Sequence, residues 1–233
     1  PANSQEAKDM TRAAIKLSEE YDTPVLLRMT TRTSHSEGIV SLGERESAPE
    51  REFVRDMAKY CVLPNNARRL HVKVEERLKK VAEFACNCEF NRIETGDTRI
   101  GIISSGISYS HAREVFPKAS YLKLGLTFPM PTELIKKFAE TVETLIVIEE
   151  NEPFIETAVR VLGIKCIGKD RLPVCGELNP DIIHESLKDL VEKPMPQPTK
   201  MPDVEIPVRP PVLCPGCPHR GIFFILRKLD CTV

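Results

Sequence analysis

Apolar positions near the start of the chain recur at helical spacing. Ala7, Met10, Ala14 and Leu17 share one stripe, which predicts a helix over residues 3–20. Asn3 followed by Glu6 is a capping-box-like start, and Asp22-Thr23-Pro24 is a stop. Val25-Leu26-Leu27-Arg28-Met29 is a short apolar run between turn signals and predicts a buried strand. The polar stretch from Thr30 to Ser36 then predicts a loop. Past the carboxyl end of a strand, in an open α/β sheet, is where ligands bind. Residues 41–50 are polar and patternless and predict a boundary. A helix is expected over 52–61, interrupted at Pro64-Asn65-Asn66. The strongest amphipathic pattern covers 67–86: Leu70, Val74, Leu78, Val81 and Ala85 fall on one face. Glu75 with Lys79, and Glu76 with Lys80, fall four apart on the other.

From Arg99 the pattern becomes a repeat of strand and helix. Strands are expected over 99–104, 121–124, 144–149 and 165–168. Helices are expected over 108–116, 132–142 behind Pro131, 153–162 and 179–190. The run Thr144-Leu145-Ile146-Val147-Ile148 is continuously apolar, as in a parallel strand covered on both faces. Successive β-α units predict an α/β fold: an open, mainly parallel sheet with helices on both faces. Residues 193–215 are rich in proline and are expected to form an extended, semi-rigid linker. Cys214-Pro215-Gly216-Cys217-Pro218-His219 follows, then the apolar run 222–226. There is no internal repeat.

Composition narrows the function classes. With 33 basic and 34 acidic residues among 233, the formal net charge is −1. That balance gives no electrostatic reason to expect nucleic acid or an anionic membrane as partner. There is no Trp and only 6% aromatics, so no stacking platform for single strands is visible. No apolar run approaches the roughly 20 residues of a membrane span. The chain begins at Pro1, shows no secretory signal pattern, and its last residues do not read as a terminus, so a piece of a longer, cytoplasmic protein is expected. Eight cysteines at uneven spacing fit a reducing compartment.

The cysteine motif is the main chemical candidate. Cys214 and Cys217 are separated by two residues, Pro215 and Gly216, with His219 nearby. Such a turn brings two thiolates to one side, where they can hold zinc or a cluster iron. Two thiols and an imidazole leave a ligand set incomplete, and a rigid Pro-Gly turn packed under a neighbour fits the spacing equally. The Thr31-Arg32-Thr33-Ser34-His35 stretch carries a fixed cation, hydroxyls and a titratable ring, which suit a carboxylate or phosphate. A polar surface stretch is the plainer reading. Ser104-Ser105-Gly106 reads as an ordinary βα turn, and Glu149-Glu150-Asn151-Glu152 as acidic residues at a helix start. Cys86-Asn87-Cys88 is too close for an ordinary metal pair.

The order of these pieces resembles the 2-oxoacid:ferredoxin oxidoreductase superfamily, most specifically the large (alpha) subunit of its indolepyruvate type. Residues 22–28 and the Arg32-Thr33-Ser34-His35 that follows resemble the end of the pyrimidine-binding domain. Residues 99–191 resemble a transketolase C-terminal domain. Leu213-Cys214-Pro215-Gly216-Cys217-Pro218-His219-Arg220-Gly221 resembles the opening of the thiamine-diphosphate-binding domain. The resemblance implies segments 1–45 (end of the pyrimidine-binding domain), 46–98 (helical connector), 99–191, 192–213 (linker) and 214–233 (start of the thiamine-binding domain). It implies oxidative decarboxylation of aryl pyruvates to acyl-CoA, with thiamine diphosphate, Mg2+ and 4Fe-4S clusters. The implied partners are a small (beta) subunit, ferredoxin, a 2-oxo acid and coenzyme A. Arg32, Ser34 and His35 are expected near the active site; Cys214, Gly216, Cys217 and His219 at the cofactor domain, with Cys214 and Cys217 as candidate metal ligands. The family's activating glutamate and its Gly-Asp-Gly…Asn segment would lie outside residues 1–233, so the chain alone is expected to be inactive and to bind no thiamine diphosphate tightly. The competing readings are a non-catalytic Rossmann-like binding module with a zinc or Fe-S knuckle at Cys214/Cys217, and a regulatory nucleotide-binding domain, which the sparse glycines around Gly106 disfavour.

Overall fold

A computed structural model describes residues 1–46, 52–192 and 212–231. The chain divides into two compact units, Pro1–Met195 and Pro196–Val233. In chain order the first unit contains α1 (Ser4–Tyr21), α2 (Thr31–His35), α3 (Met57–Tyr60) and α4 (Pro64–Asn87). There follow β1 (Arg92–Glu94), β2 (Asp97–Ser105), α5 (Gly106–Val115), β3 (Ala119–Leu124), α6 (Thr132–Ala139), β4 (Thr144–Ile148), α7 (Phe154–Val161) and α8 (Pro180–Ser186).

The four strands form one sheet in the order β1-β3-β2-β4. β2 runs parallel to both neighbours, with Ile102 opposite Tyr121 and Ile146, and Ile103 opposite Leu122 and Val147. β1 pairs antiparallel on the edge. The mainly parallel α/β architecture expected from the sequence is therefore present. Its physical basis is burial on both faces. On one face Ile102, Tyr121, Ile146 and Ile148 pack with Ala112 and Val115 of α5 and Ile183 of α8. On the other, Ile103, Leu122, Leu145 and Val147 pack with Ile135 and Phe138 of α6 and Ile155 and Val159 of α7. Each fully buried aliphatic or aromatic side chain contributes about 1.5–3 kcal/mol, so a strand buried on both faces favours apolar side chains on each.

Several expectations need correction. Val25 to Met29 forms no strand and pairs with none among the described residues, and Leu26 is 90% exposed. Apolar residues favour the extended conformation, but a strand exists only where a neighbour completes its hydrogen bonds. The expected loop after it is the short helix α2, opened by Thr30, whose hydroxyl receives the Thr33 N–H at 3.4 Å. Its all-polar composition carries no apolar stripe, so periodicity does not reveal it. Over 52–61 only α3 is helical, started by Asp56, whose carboxylate accepts the Ala58 and Lys59 N–H groups. Pro64 does not interrupt a helix; it opens α4, at a position whose N–H would be unpaired in any case. Residues 165–168 form one parallel bridge, Ile146 to Ile167, and no full strand. The charged edge strand β1 went unforeseen. The expected linker at 192–213 falls largely outside the described residues.

The described part of the second unit holds a turn at residues 215–216 and helix α9 (His219–Lys228).

Candidate functional site

The loop leaving β2 turns into α5 on one face of the sheet. Those leaving β3 and β4 lead to α6 and α7 on the other. This reversal opens a crevice outside the carboxyl ends of the strands, the usual ligand position in such sheets. Two adjoining cavities occupy it, of about 880 and 770 Å³. They share Arg28, Thr30, Ile107, Glu150 and Asn151.

The walls are built locally. Ser105-Gly106-Ile107-Ser108 starts α5, with Gly106 at φ 55, in the left-handed region that glycine adopts without strain. Ser104, just beneath, donates its buried hydroxyl to the Ile148 carbonyl at 2.7 Å and ties the ends of β2 and β4 together. The loop after β3 is fixed by Asn91. Its amide oxygen accepts from Gly125 and Leu126 (2.8 and 2.9 Å), and its amide NH2 donates to Ala85 and Leu126 carbonyls (2.8 and 3.0 Å).

Glu149 directly follows β4 and is buried. Its two oxygens accept the Ile155 and Glu156 N–H groups, each at 2.8 Å, so it caps α7 from outside. Burial still pushes its carboxyl above the usual range, against the pull of those two donors and of Lys169. Lys169 is held by the Glu149 and Pro173 carbonyls, at 2.5 and 3.0 Å, and burial lowers its ammonium pKa. The acidic run at 149–152 thus does what the sequence implied for it, serving a helix start. Asn151 sits at φ 59 on the lip of the crevice.

The second cavity receives α2. Arg32 and His35 line it; Ser34 is exposed and lies outside both linings. The guanidinium of Arg32 meets Glu177 with both forks: Nε contacts Oε1, and Nη2 contacts Oε2 at 2.9 Å. That pairing raises the Arg32 pKa and holds the Glu177 carboxyl below the usual range. Both side chains are exposed, at 65% and 46%, so solvent screens the pair and it adds little to stability. Thr33 turns inward and is 5% exposed. Of the residues singled out from sequence, the crevice gathers Arg32 and His35. Glu177 was missed: the surrounding Cys175-Gly176-Glu177-Leu178 carries no motif, and only the fold brings it 145 positions back to Arg32.

In the second unit the Cys217 N–H donates to the Cys214 carbonyl at 3.1 Å, and Gly216 takes φ 76, the tight turn its sequence implied. The Cys217 sulfur lies 3.4 Å from Nδ1 of His219, and both cysteines are free thiols. No group of three His, Cys, Asp or Glu side chains among the described residues is placed to hold a metal ion.

No protein-family profile matches the chain. The indolepyruvate oxidoreductase subunit IorA of Methanothermobacter thermautotrophicus is 34% identical to it over 244 residues, 98% of this chain and 39% of that protein. Those of Thermococcus kodakarensis and Archaeoglobus fulgidus are 34% and 35% identical, with the same coverage. The chain is a relative of indolepyruvate oxidoreductase subunit IorA. It spans 39% of the length of these IorA proteins. A solved structure, 2-oxoglutarate:ferredoxin oxidoreductase from Magnetococcus marinus with 2-oxoglutarate, coenzyme A and succinyl-CoA bound, is 24% identical, with a TM-score of 0.44 over 55% of this chain and 23% of that one. Among the described residues no helix is long and apolar enough to cross a membrane.

Proposed function

We propose that the chain is part of the large subunit of an indolepyruvate-type 2-oxoacid:ferredoxin oxidoreductase, which oxidatively decarboxylates aryl pyruvates to acyl-CoA. The observation that carries this reading is the likeness to the IorA subunits along 98% of the chain. The partners in this reading are a small subunit, ferredoxin, a 2-oxo acid and coenzyme A, in the cytoplasm. Residues 99–191 serve as the transketolase C-terminal-like domain, between partial thiamine-binding domains at 1–45 and 214–233.

Thiamine diphosphate with Mg2+ supplies the carbanion chemistry in such an enzyme, and 4Fe-4S clusters carry single electrons. The described residues do not complete a site for either. Cys214 and Cys217 offer two thiols on one turn where a cluster or zinc needs four ligands. What this chain contributes in the reading is substrate handling at the crevice. Arg32 offers a planar fork to a carboxylate, His35 a second polar group on the same wall, and the apolar lining near Leu126 and Phe128 suits an aromatic side chain. Ser34 stays a candidate of the same stretch, from its place beside them.

The test is anaerobic turnover by the full-length subunit assembled with its small subunit. Indolepyruvate, coenzyme A and oxidised ferredoxin should give reduced ferredoxin. Arg32→Ala should lower kcat/KM about tenfold or more, chiefly through KM, because a charge-assisted contact is lost. Absence of coenzyme A-dependent ferredoxin reduction with any aryl pyruvate would discard the reading.

A further inference from the structure

Arg32 is not a free guanidinium. Both oxygens of Glu177 meet its Nε and Nη2 edge, the fork geometry of arginine–carboxylate recognition. An internal carboxylate therefore occupies the position that an external one would take. The contact is built to be given up. Both partners are exposed, and Glu177 follows Gly176, at φ 89, in a segment without helix or strand.

We propose that Glu177 is an internal stand-in for the ligand carboxylate: it closes on Arg32 when the crevice is empty and swings out toward solvent when a 2-oxo acid takes the fork. This rests on the reading of the crevice as a 2-oxo acid site and deepens it. Glu177 is a positioning residue, since it touches Arg32 and not the reacting atoms. A ligand pays for displacing it, so apparent affinity falls by the fraction of closed sites.

The experiment uses the full-length subunit assembled with its partner, titrated calorimetrically with indole-3-acetate, an aryl carboxylate that lacks the reactive 2-oxo group. Inorganic phosphate is titrated in parallel. Glu177→Gln should bind indole-3-acetate about two- to fivefold tighter, the factor an exposed ion pair is worth. Unchanged or weaker binding by Glu177→Gln overturns the proposal. So does a gain confined to phosphate. Turnover separates the two readings. If the wild-type assembly oxidises aryl pyruvates and Glu177→Gln does not tighten binding, the stand-in falls and the function stands. If Glu177→Gln tightens carboxylate binding but no aryl pyruvate turns over, the stand-in holds and the function falls.

Discussion

Lys123 is the last residue but one of β3, has no exposed side-chain surface, and its ammonium meets Glu6 of α1 at 2.6 Å. Glu6 also accepts the Ala2 N–H at 2.8 Å and faces Arg92 at 3.4 Å. Burial alone would raise the Glu6 pKa, but the Lys123 and Ala2 hydrogen bonds and Arg92 outweigh it, and the carboxyl sits below the usual range. Burial pushes the Lys123 ammonium down, against the pull of Glu6. Removing either partner is therefore not symmetric. Glu6→Gln leaves a buried cation without its counter-charge and should cost about 3 kcal/mol or more. Lys123→Met leaves Glu6 with Arg92 and some solvent, and should cost less. The pH sign follows from the depressed carboxyl. Its contribution is complete above the unfolded value of about 4.3 and is lost as pH falls through the lower folded value. Urea unfolding should show the two variants in that order, with Glu6→Gln flattening the acid limb. Part of this was legible: Asn3 and Glu6 read as a helix start, and Asn3 does accept the Glu6 N–H at 2.9 Å. The second half of a capping box is absent because the Glu6 carboxylate is drawn to Lys123, 117 positions away. A lysine inside Tyr121-Leu122-Lys123-Leu124 shows no partner at short range, so its burial could not be read from the segment.

At the scale of elements, close approaches decide which strands tolerate change. Gly101 of β2 lies under Val142, whose Cγ2, Cγ1 and Cβ atoms stand 2.5, 2.7 and 2.8 Å from where a Cβ would be. Gly101→Ala should cost about 1–3 kcal/mol through overpacking. Gly221 has nothing within 4 Å of its Cβ position and serves as a control that leaves the sheet unchanged. Thermal unfolding followed on the sheet separates the two; equal midpoints would mean that Val142 moves aside without cost. Elements were legible where one rule decided them. β4 could be read from its unbroken apolar run, and α4 from the stripe Leu70, Val74, Leu78 and Val81, which is half-buried and ends on buried Ala85. Legibility failed where a distant partner decides the outcome. Val25 to Met29 has the composition of a strand without a neighbour. β1 is a strand because β3 offers an edge, although Arg92-Ile93-Glu94 has no strand-like pattern.

At the scale of the molecule, several stretches keep apolar surface in the open. One is Val25 to Met29, with Leu26 90% exposed. Another runs from Phe53 to Leu63, where Phe53, Val54, Val62 and Leu63 are 61% to 83% exposed. A third is α9 with the residue after it, where Ile222, Phe223, Phe224, Ile225 and Leu229 are all exposed, from 41% to 67%. A helix of ten residues gains most of its stability from packing an apolar face. The first and last of these stretches lie within the segments that resemble parts of two thiamine-binding domains, 1–45 and 214–233. A cofactor gripped between such domains needs both halves, because the ends that hold its diphosphate and its pyrimidine are supplied separately. If the chain is part of such a subunit, as proposed, residues 1–233 should bind thiamine diphosphate with Mg2+ no tighter than millimolar, whereas the full-length subunit with its partner should bind it at micromolar concentration or below. Calorimetry on both decides the point. Micromolar binding by residues 1–233 alone would mean that the crevice or the cysteine turn holds the cofactor itself, and the division of labour between this chain and the rest of the subunit would have to be redrawn.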